Sequence, residues 1–376
     1  MFFPVAMFGS SVFSAATRSA ALGTANQPPA AQPAMALGVS DRKLAFPADF
    51  GAHPDTHIEW WYVTGALAVD GLADGPQFGF QLTFFRLRTS VAADHPSRFA
   101  ASQIVFAHAA LSVLADRRLR HDQRVSRAGF DIAQARTSDT DVWLRDWRLQ
   151  RSGDTDASLY HARLDSTAAG FALDLQLKAD RAPLLQGVDG LSRKGPDPAQ
   201  ASHYYSQPQL QTAGRLTLEG KVMSVRGTAW LDHEWSNSVL GADAVGWDWI
   251  GINLDDGGAL TAFRIRRADG SAVYAGGSWQ APDRAVRNFA PTEVVFKPIR
   301  RWLSHRTQAS YPVEWDLATP AGQFKLAAVF DDQELDSRRS TGSVYWEGLA
   351  TLRDASGRHL GRGYLEMTGY AGPMQL

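Results

Sequence analysis

The sequence predicts an all-β protein that consists of two tandem antiparallel β-barrels related by an internal duplication. Three observations lead to this fold class. Apolar and polar residues alternate along many segments after Phe46, as they do in half-buried strands. Helical periodicity is scarce, with room for a turn or two only at 92–102 and 291–303. Trp-rich segments also recur in the same order in both halves of the chain, which indicates a duplication.

The alternation is clearest at 79–86, where Phe80, Leu82 and Phe84 share one face of a predicted strand. Similar patterns occur at 171–177, 215–218 and 259–266. Asp-Gly turns separate such segments at 70–71, 256–258 and 269–270. Short strands divided by tight turns favour an antiparallel meander that closes into a barrel or a sandwich.

The repeat sets the expected domain limits. Segment 59–65 has the same layout as 247–253, segment 142–144 matches 313–317, and segment 204–230 matches 345–366. A chain of 376 residues also suits two hydrophobic cores. With the boundary near 236–243, we expect a first barrel at 45–238 and a second at 239–376.

The N-terminus has features of an export signal. Residues 1–17 carry no charge and are rich in Phe, Val, Ala and Ser, and small residues follow at 20–25. No Lys or Arg precedes the apolar run and Arg18 interrupts it, so an atypical leader and a misassigned start are both open. We expect a signal peptide at 1–25, a Pro-containing disordered spacer at 26–44, and a periplasmic or secreted protein without an integral membrane segment in its mature chain.

Composition restricts the class of partner. The 38 basic and 39 acidic residues give a formal net charge of -1, so nucleic acid is not expected to bind. The chain contains no cysteine, which excludes disulfides and thiolate metal sites. Its 12 Trp, 19 Phe and 9 Tyr residues favour a ring-lined pocket for an apolar small molecule. An oligomeric state is not indicated.

Segment 227–235, Gly-Thr-Ala-Trp-Leu-Asp-His-Glu-Trp, carries the sharpest candidate site. On a strand, Trp230, Asp232 and Glu234 share one face. If that face is interior, burial and mutual repulsion raise at least one carboxyl pKa, and a neutral acid can then donate a proton. The alternative is that arginines or backbone amides satisfy both acids where two domains meet. For Glu234 alone this structural interpretation is preferred, whereas for Asp232 a functional role is preferred.

Two further segments contain histidine. Segment 202–208 combines His203 with two phenols and an amide, which could orient water or a ligand oxygen, although from these residues alone a structural histidine at a strand start is the preferred interpretation. In segment 57–62, His57, Glu59 and Trp61 share a strand face, which hints at a metal. No third ligand occurs at diagnostic spacing, and the acidic stretch 331–342 lacks EF-hand spacing. We therefore expect no metal site.

Several reaction classes lack their usual motifs. The sequence contains no G-x-S-x-G elbow, no G-x-x-x-x-G-K-[ST] loop and no G-x-G-x-x-G opening a helix. Serine-hydrolase, NTPase and dinucleotide-dependent chemistry therefore have no support, and no cofactor is expected.

The sequence resembles the AttH/CrtC superfamily over nearly everything after Phe46. Four strings carry the resemblance, at 57–62, 227–235, 246–251 and 332–337, and they occur in the family's order. The resemblance implies paired lipocalin-like barrels. Its characterised branch is carotenoid 1,2-hydratase, which adds water to a terminal isoprenoid double bond without a cofactor, and related fungal folds act as pericyclases. Many other members are known only as predicted secreted hydrolases.

The resemblance also implies a site. It places the essential aspartate of the hydratase on Asp232, and its histidine and aromatic positions on His203 and Tyr205. Trp230 stands where the hydratase has a tyrosine, and an indole cannot donate a phenolic proton, which argues against carotenoid as the substrate. We expect these four residues to be catalytic. The expected substrate-binding residues are Trp61, Tyr204, Glu234, Trp247 and Trp249.

The expected reaction is acid-catalysed addition of water to, or isomerisation of, a carbon–carbon double bond. Asp232 would protonate the alkene, the faces of Trp230, Tyr205 or Trp249 would stabilise the cation, and His203 would hold the water. A non-catalytic carrier of a hydrophobic ligand would use the same cavity without chemistry. Ester hydrolysis is a further alternative, implied only by the names of family members.

Overall fold

The structure is a computed structural model that describes residue 39 and residues 42–72, 75–238 and 240–374. The signal peptide predicted at 1–25 and most of the spacer predicted at 26–44 lie outside the described residues. Within them, the only helical turns are the 3-10 turns Ala48–Phe50 and Pro291–Glu293. No described helix is long and apolar enough to cross a membrane.

In the described residues, thirteen strands from the first half of the chain form one sheet. They are β1 (Ile58–Val69), β2 (Phe78–Arg88), β3 (Gln103–Val113), β4 (Arg118–Arg127), β5 (Ala133–Ala135), β6 (Asp141–Leu144), β7 (Trp147–Ser152), β8 (Leu159–Ser166), β9 (Phe171–Lys178), β10 (Leu184–Leu185), β11 (Leu191–Arg193), β12 (Ala201–Leu218) and β13 (Lys221–Ser236). Their order is β4-β3-β2-β1-β13-β12-β9-β8-β7-β6-β5, and β10 and β11 pair with β12.

Ten strands from the second half of the described chain form the other sheet. They are β14 (Gly246–Leu254), β15 (Ala259–Arg266), β16 (Ala272–Gln280), β17 (Val286–Phe289), β18 (Val295–Leu303), β19 (Ser310–Thr319), β20 (Gly322–Ala328), β21 (Glu334–Ser337), β22 (Ser343–Asp354) and β23 (His359–Met367). Their order is β17-β16-β15-β14-β23-β22-β20-β19-β18, and β21 pairs with β22.

The two sheets share the same central strand order, although the first has three more strands, and this confirms the predicted duplication. In each sheet, the first strand pairs with both the second and the last, and a short strand pairs with the strand before the last. All these pairings are antiparallel. Each sheet forms a barrel or half-barrel around its own apolar core. The sheets change between Ser236 and Gly246, while the division into domains at 238/239 remains a prediction.

A buried ion pair gives the register of the duplication. Arg86 on β2 donates to Glu59 on β1 at 2.7 Å, and Arg264 on β15 donates to Asp248 on β14 at 2.6 Å. In both pairs the two residues face each other across the same two strands. Glu59 therefore corresponds to Asp248. The alignment of the Trp-rich segments had paired Glu59 with Trp247, which is one residue earlier.

A third apolar cluster lies where the two sheets meet. It includes Tyr62 and Trp230 from the first sheet and Trp249, Phe263 and Tyr364 from the second. The rings of Trp230 and Trp249 meet edge to face, 6.3 Å apart. Strands β1 and β13 thus bury both faces, one in their own barrel core and the other against the second sheet.

Candidate active site

A cavity lies between the two sheets, on the faces of β1, β12 and β13 that point away from the first barrel core. The second sheet closes it with β14, β15, β22 and β23. Its wall is rich in aromatic side chains, among them Trp60, Tyr62, Tyr204, Trp247, Trp249 and Phe263. Ionisable groups interrupt this wall at Lys194, Asp232, Glu234, Glu347 and Glu366. The chemistry of the cavity therefore depends on how these charges are balanced.

Asp232 is buried in the cavity wall with 3% of its surface exposed. Its Oδ1 accepts hydrogen bonds from Ser206 Oγ at 2.5 Å and from Trp230 Nε1 at 2.8 Å. Burial raises the pKa of Asp232 from 3.8 to about 7, although both donors favour the carboxylate. Since Oδ1 accepts both bonds, the proton of the neutral acid belongs on Oδ2. Asp232 can therefore carry a proton near neutral pH.

Glu234, two residues along the same face, has a cationic partner. Lys194 Nζ lies 2.9 Å from Glu234 Oε1, and Ser202 Oγ donates to the same oxygen. The ammonium also lies over the rings of Tyr204 and Phe263, 4.8 Å and 4.5 Å from their centroids. This ion pair matches the structural interpretation preferred for Glu234, and it neutralises one of the four cavity carboxylates.

Glu347 and Glu366 form a second acidic pair on the opposite wall. They face each other across β22 and β23, and both line the cavity. Burial, together with the neighbouring Glu366, raises the pKa of Glu347 well above its usual range. Burial also raises the pKa of Glu366 to about 7. Ionisation of both neighbouring carboxyl groups is unfavourable because their negative charges repel each other, so the pair holds a proton near neutral pH.

A chain of hydrogen bonds fixes the direction of the Tyr345 hydroxyl beside Glu347. Ser340 Oγ donates to Gln123 Oε1 at 2.7 Å, so it accepts from His108 Nε2 at 2.8 Å. Burial lowers the pKa of His108 to about 3, so its ring is neutral and Nδ1 accepts from Tyr345 Oη at 2.8 Å. The Tyr345 proton is therefore directed towards His108 Nδ1.

The structure brings most of the predicted site residues together. Tyr204, Trp247, Trp249 and Glu234 line the cavity with Asp232. Trp249 Nε1 donates to Tyr204 Oη at 3.2 Å. Trp230 packs behind the wall and contacts Asp232 through its indole N–H. The prediction that Trp230, Asp232 and Glu234 share one strand face is thus borne out by their contacts.

Three other predicted residues lie on the opposite faces of their strands. Ser206 is the cross-strand partner of Asp232, so the alternation of side chains turns Tyr205 and His203 towards the first barrel core. There Tyr205 Oη contacts His233 Nδ1 at 3.0 Å, and the His203 ring packs 5.4 Å from the Trp235 ring. Trp61 stacks on His233 in the same core. The roles of holding water, stabilising a cation and binding substrate do not fit these positions.

Glu59 organises a polar cluster inside the first barrel, behind the cavity wall. His53 Nδ1 and His233 Nε2 each lie 2.8 Å from Glu59 Oε1, and Arg86 donates to Oε2. The three potential ligand atoms of His53, Glu59 and His233 lie within 4.8 Å of one another. Each of them already takes part in a hydrogen bond within the cluster, and the guanidinium supplies the balancing charge. His57, which the sequence pattern grouped with Glu59, is not among these three residues.

Sequence reasoning missed Lys194, Tyr62, Glu347 and Glu366. The duplication contained a signal for Glu366. In the register set by the ion pairs, Trp60 corresponds to Trp249. Glu234 is the cross-strand partner of Trp60, and Glu366 is the cross-strand partner of Trp249. Glu366 is therefore the counterpart of Glu234. The alignment expected from sequence paired Glu366 with Trp230 instead, so the correspondence of the two acids was hidden.

Comparison with known proteins identifies relatives for nearly the whole described chain. The AttH-like family model matches residues 38–370. A crystal structure assigned to AttH in Nitrosomonas europaea is 47% identical, with a TM-score of 0.80, over 88% of this chain and 98% of its own. No curated protein sequence matches the chain significantly.

A more distant structural relative is kievitone hydratase from Nectria haematococca. Its crystal structure is 16% identical to this chain, with a TM-score of 0.65, and the match covers 88% of this chain and 94% of that protein. At this identity the likeness concerns the fold. Together the relatives confirm the predicted all-β architecture and the predicted family.

Proposed function

The chain belongs to the AttH-like family, and we propose that its cavity binds an apolar unsaturated molecule whose double bond is protonated by Asp232. The observation that carries this proposal is a neutral carboxyl group in a ring-lined cavity. In the described residues no Arg or Lys forms an ion pair with Asp232, so its proton is not displaced by a fixed cation. A buried neutral acid is the donor that alkene protonation requires.

The reaction that fits this geometry is hydration. Asp232 Oδ2 gives its proton to one alkene carbon, and the double-bond electrons form the new C–H bond. Water then adds its oxygen to the cationic carbon and returns a proton to the aspartate. The faces of Trp249 and Tyr204 border the cavity and stabilise the intermediate charge. Loss of a different proton from the same cation would give isomerisation.

The size of the cavity limits which part of the ligand reacts there. Its volume is about 100 Å³, whereas a cavity of about 150 Å³ holds one benzene molecule. Only the reacting end of an isoprenoid or lipid-like chain therefore fits in this conformation. A longer substrate would extend past Lys194 and Met374, which also border the cavity.

Mass spectrometry of reactions run in deuterated and oxygen-18 water tests the proposal. The purified protein is incubated with a panel of isoprenoid alkenes and with kievitone, because a relative of the same fold is named for that molecule. Hydration places one deuterium on carbon and one heavy oxygen in the product. We expect turnover to fall as pH rises above about 7, since Asp232 then loses its proton.

The informative variant is Asp232→Asn, which keeps the shape of the side chain and removes its proton. We expect it to bind the alkene and to lose turnover. The exposed Glu219→Gln variant, whose side chain is 67% exposed, is the matched control and should react like the wild type. Full turnover by Asp232→Asn would refute the proposal. Binding without chemistry in the wild type would instead identify a carrier of hydrophobic ligands.

We also propose that the protein is exported to the periplasm or secreted. The support is the uncharged apolar segment 1–17 followed by small residues. N-terminal sequencing of the protein from its native cell is expected to find a chain that begins after about residue 25. Retention of Met1 on a cytoplasmic protein would contradict this.

A further inference from the structure

The cavity carries more negative charge than its side chains can balance. Four carboxyl groups border it, at Asp232, Glu234, Glu347 and Glu366, and Lys194 is the one cation among its lining residues in the described chain. Lys194 is already paired with Glu234. Asp232 keeps its own proton. Of the remaining acids, Glu366 has its pKa raised only to about 7, so the coupled pair of Glu347 and Glu366 gains negative charge as the pH rises above about 7.

No side-chain donor in the described part of the chain fully satisfies this charge. Neither oxygen of Glu347 accepts a hydrogen bond of normal length and angle there, although the hydroxyls of Tyr62 and Tyr345 lie next to it and only 2% of the residue is exposed. Tyr345, its neighbour on β22, donates to His108 instead. Buried carboxylates ordinarily accept several hydrogen bonds or pair with a cation. An unsatisfied one at a cavity wall therefore indicates that the bound ligand supplies the partner.

The hydroxyl group of Tyr62 lies beside this carboxyl group and borders the same cavity. Tyr62 is 6% exposed and lines the cavity, and its Oη lies beside Glu347 without making a hydrogen bond of normal length and angle to a described residue. Its ring meets that of Trp249 edge to face at 5.4 Å. Trp249 in turn is the cross-strand neighbour of Glu366. The acidic pair is thus bordered by aromatic rings that also attract positive charge.

We propose that Glu347 and Glu366, with the rings of Tyr62 and Trp249, form a recognition site for a compact positive charge on carbon or nitrogen. A trialkylammonium group fits this chemistry, and so does the carbocation formed when Asp232 protonates a double bond. In the second case the inference rests on the proposed function and adds the group that stabilises its intermediate. The site is distinct from Asp232, which donates the proton.

The experiment compares two ligands of the same shape and different charge. Choline carries a quaternary nitrogen, and dimethylbutanol has a neutral carbon in its place. Binding to the full-length protein is followed by tryptophan fluorescence and by calorimetry. We expect the wild type to prefer choline by about tenfold, the size of a desolvated cation–π contact reinforced by a carboxylate. The preference should grow as pH rises and the acidic pair loses its shared proton.

Variants assign the preference to specific groups. Glu347→Gln and Glu366→Gln keep the size of the side chain and remove its charge, so each should bring the affinity for choline close to that for dimethylbutanol. Glu219→Gln, whose side chain is exposed, is the control and should keep the preference. Thermal melting checks that each variant is folded. If one of the two glutamine variants does not fold, the other still provides the test.

The outcomes separate this inference from the proposed function. Equal affinity of the wild type for the two ligands, or no measurable binding of choline, would overturn the cation site. So would a preference for choline that survives in both glutamine variants. Hydration of an alkene that depends on Asp232 would still stand in those cases. If hydration fails while the preference for choline is present, the cavity is a cation-binding site without the proposed chemistry.

Discussion

Replacing Asp232 by asparagine tests, without any ligand, whether this side chain is neutral in the folded protein. Burial raises its pKa from 3.8 to about 7. Between these two values the unfolded chain has released the proton and the folded chain keeps it. The folded state binds more protons, so the free energy of unfolding falls as pH rises through this window. A rise of about three pH units corresponds to about 4 kcal/mol.

Asparagine has no proton to lose, so the variant lacks this decline. We expect the stability of Asp232→Asn relative to the wild type to increase by about 4 kcal/mol between about pH 4 and about pH 8. Urea denaturation at a series of pH values measures the difference. The exposed Glu219→Gln variant serves as the control, and its stability relative to the wild type should change little over the same range.

A constant difference between Asp232→Asn and the wild type across this range would refute the reasoning. It would mean that Asp232 ionises in the folded protein as readily as in the unfolded chain. The acid would then be charged at neutral pH and could not donate a proton. A difference that grows in the opposite direction would mean that the folded protein stabilises the carboxylate.

Three further substitutions test other parts of the structure. Arg86→Met leaves Glu59 as a buried carboxylate without its arginine, so urea denaturation should show that the free energy of unfolding falls by about 3–5 kcal/mol. A fall below about 1 kcal/mol would show that the two histidines are enough to stabilise the carboxylate. Tyr205→Phe removes one hydrogen bond in the first barrel core, so the free energy of unfolding should fall by about 1 kcal/mol while ligand affinity is unchanged. Weakened ligand binding would show that Tyr205 contributes to the site. Ser206→Ala removes a donor to Asp232, so the upper limit of the pH window described above should rise by about one pH unit while its lower limit stays unchanged; an unchanged upper limit would contradict the hydrogen bond.

Local pattern was enough to predict the strands and the sharing of faces along one strand. Alternation placed Trp230 and Asp232 on one face, because side-chain direction in a strand repeats every two residues. It also indicated that burial would keep the acid neutral. The order of the Trp-rich segments predicted the duplication, since each copy must build the same barrel.

Register between strands could not be predicted in this way. The expectation that Tyr205 and His203 face Asp232 required a particular pairing of β12 with β13. The structure pairs Ser206 with Asp232, and a shift of one residue turns every side chain of the strand to its other face. The alignment of the duplicated halves was likewise displaced, by one residue at Glu59 and by four residues at Glu366, and the second displacement hid Glu366.

The sequence by itself determined that the chain is all-β, that it is duplicated, and that an acid and an indole occupy one strand face. These properties depend on neighbours along the chain. Only the tertiary structure decided that the cavity lies between the sheets and not inside a barrel. It alone brought Lys194, Glu347 and Glu366 to Asp232, because the charge balance of a buried site depends on side chains that are distant in sequence and adjacent only after the two sheets pack.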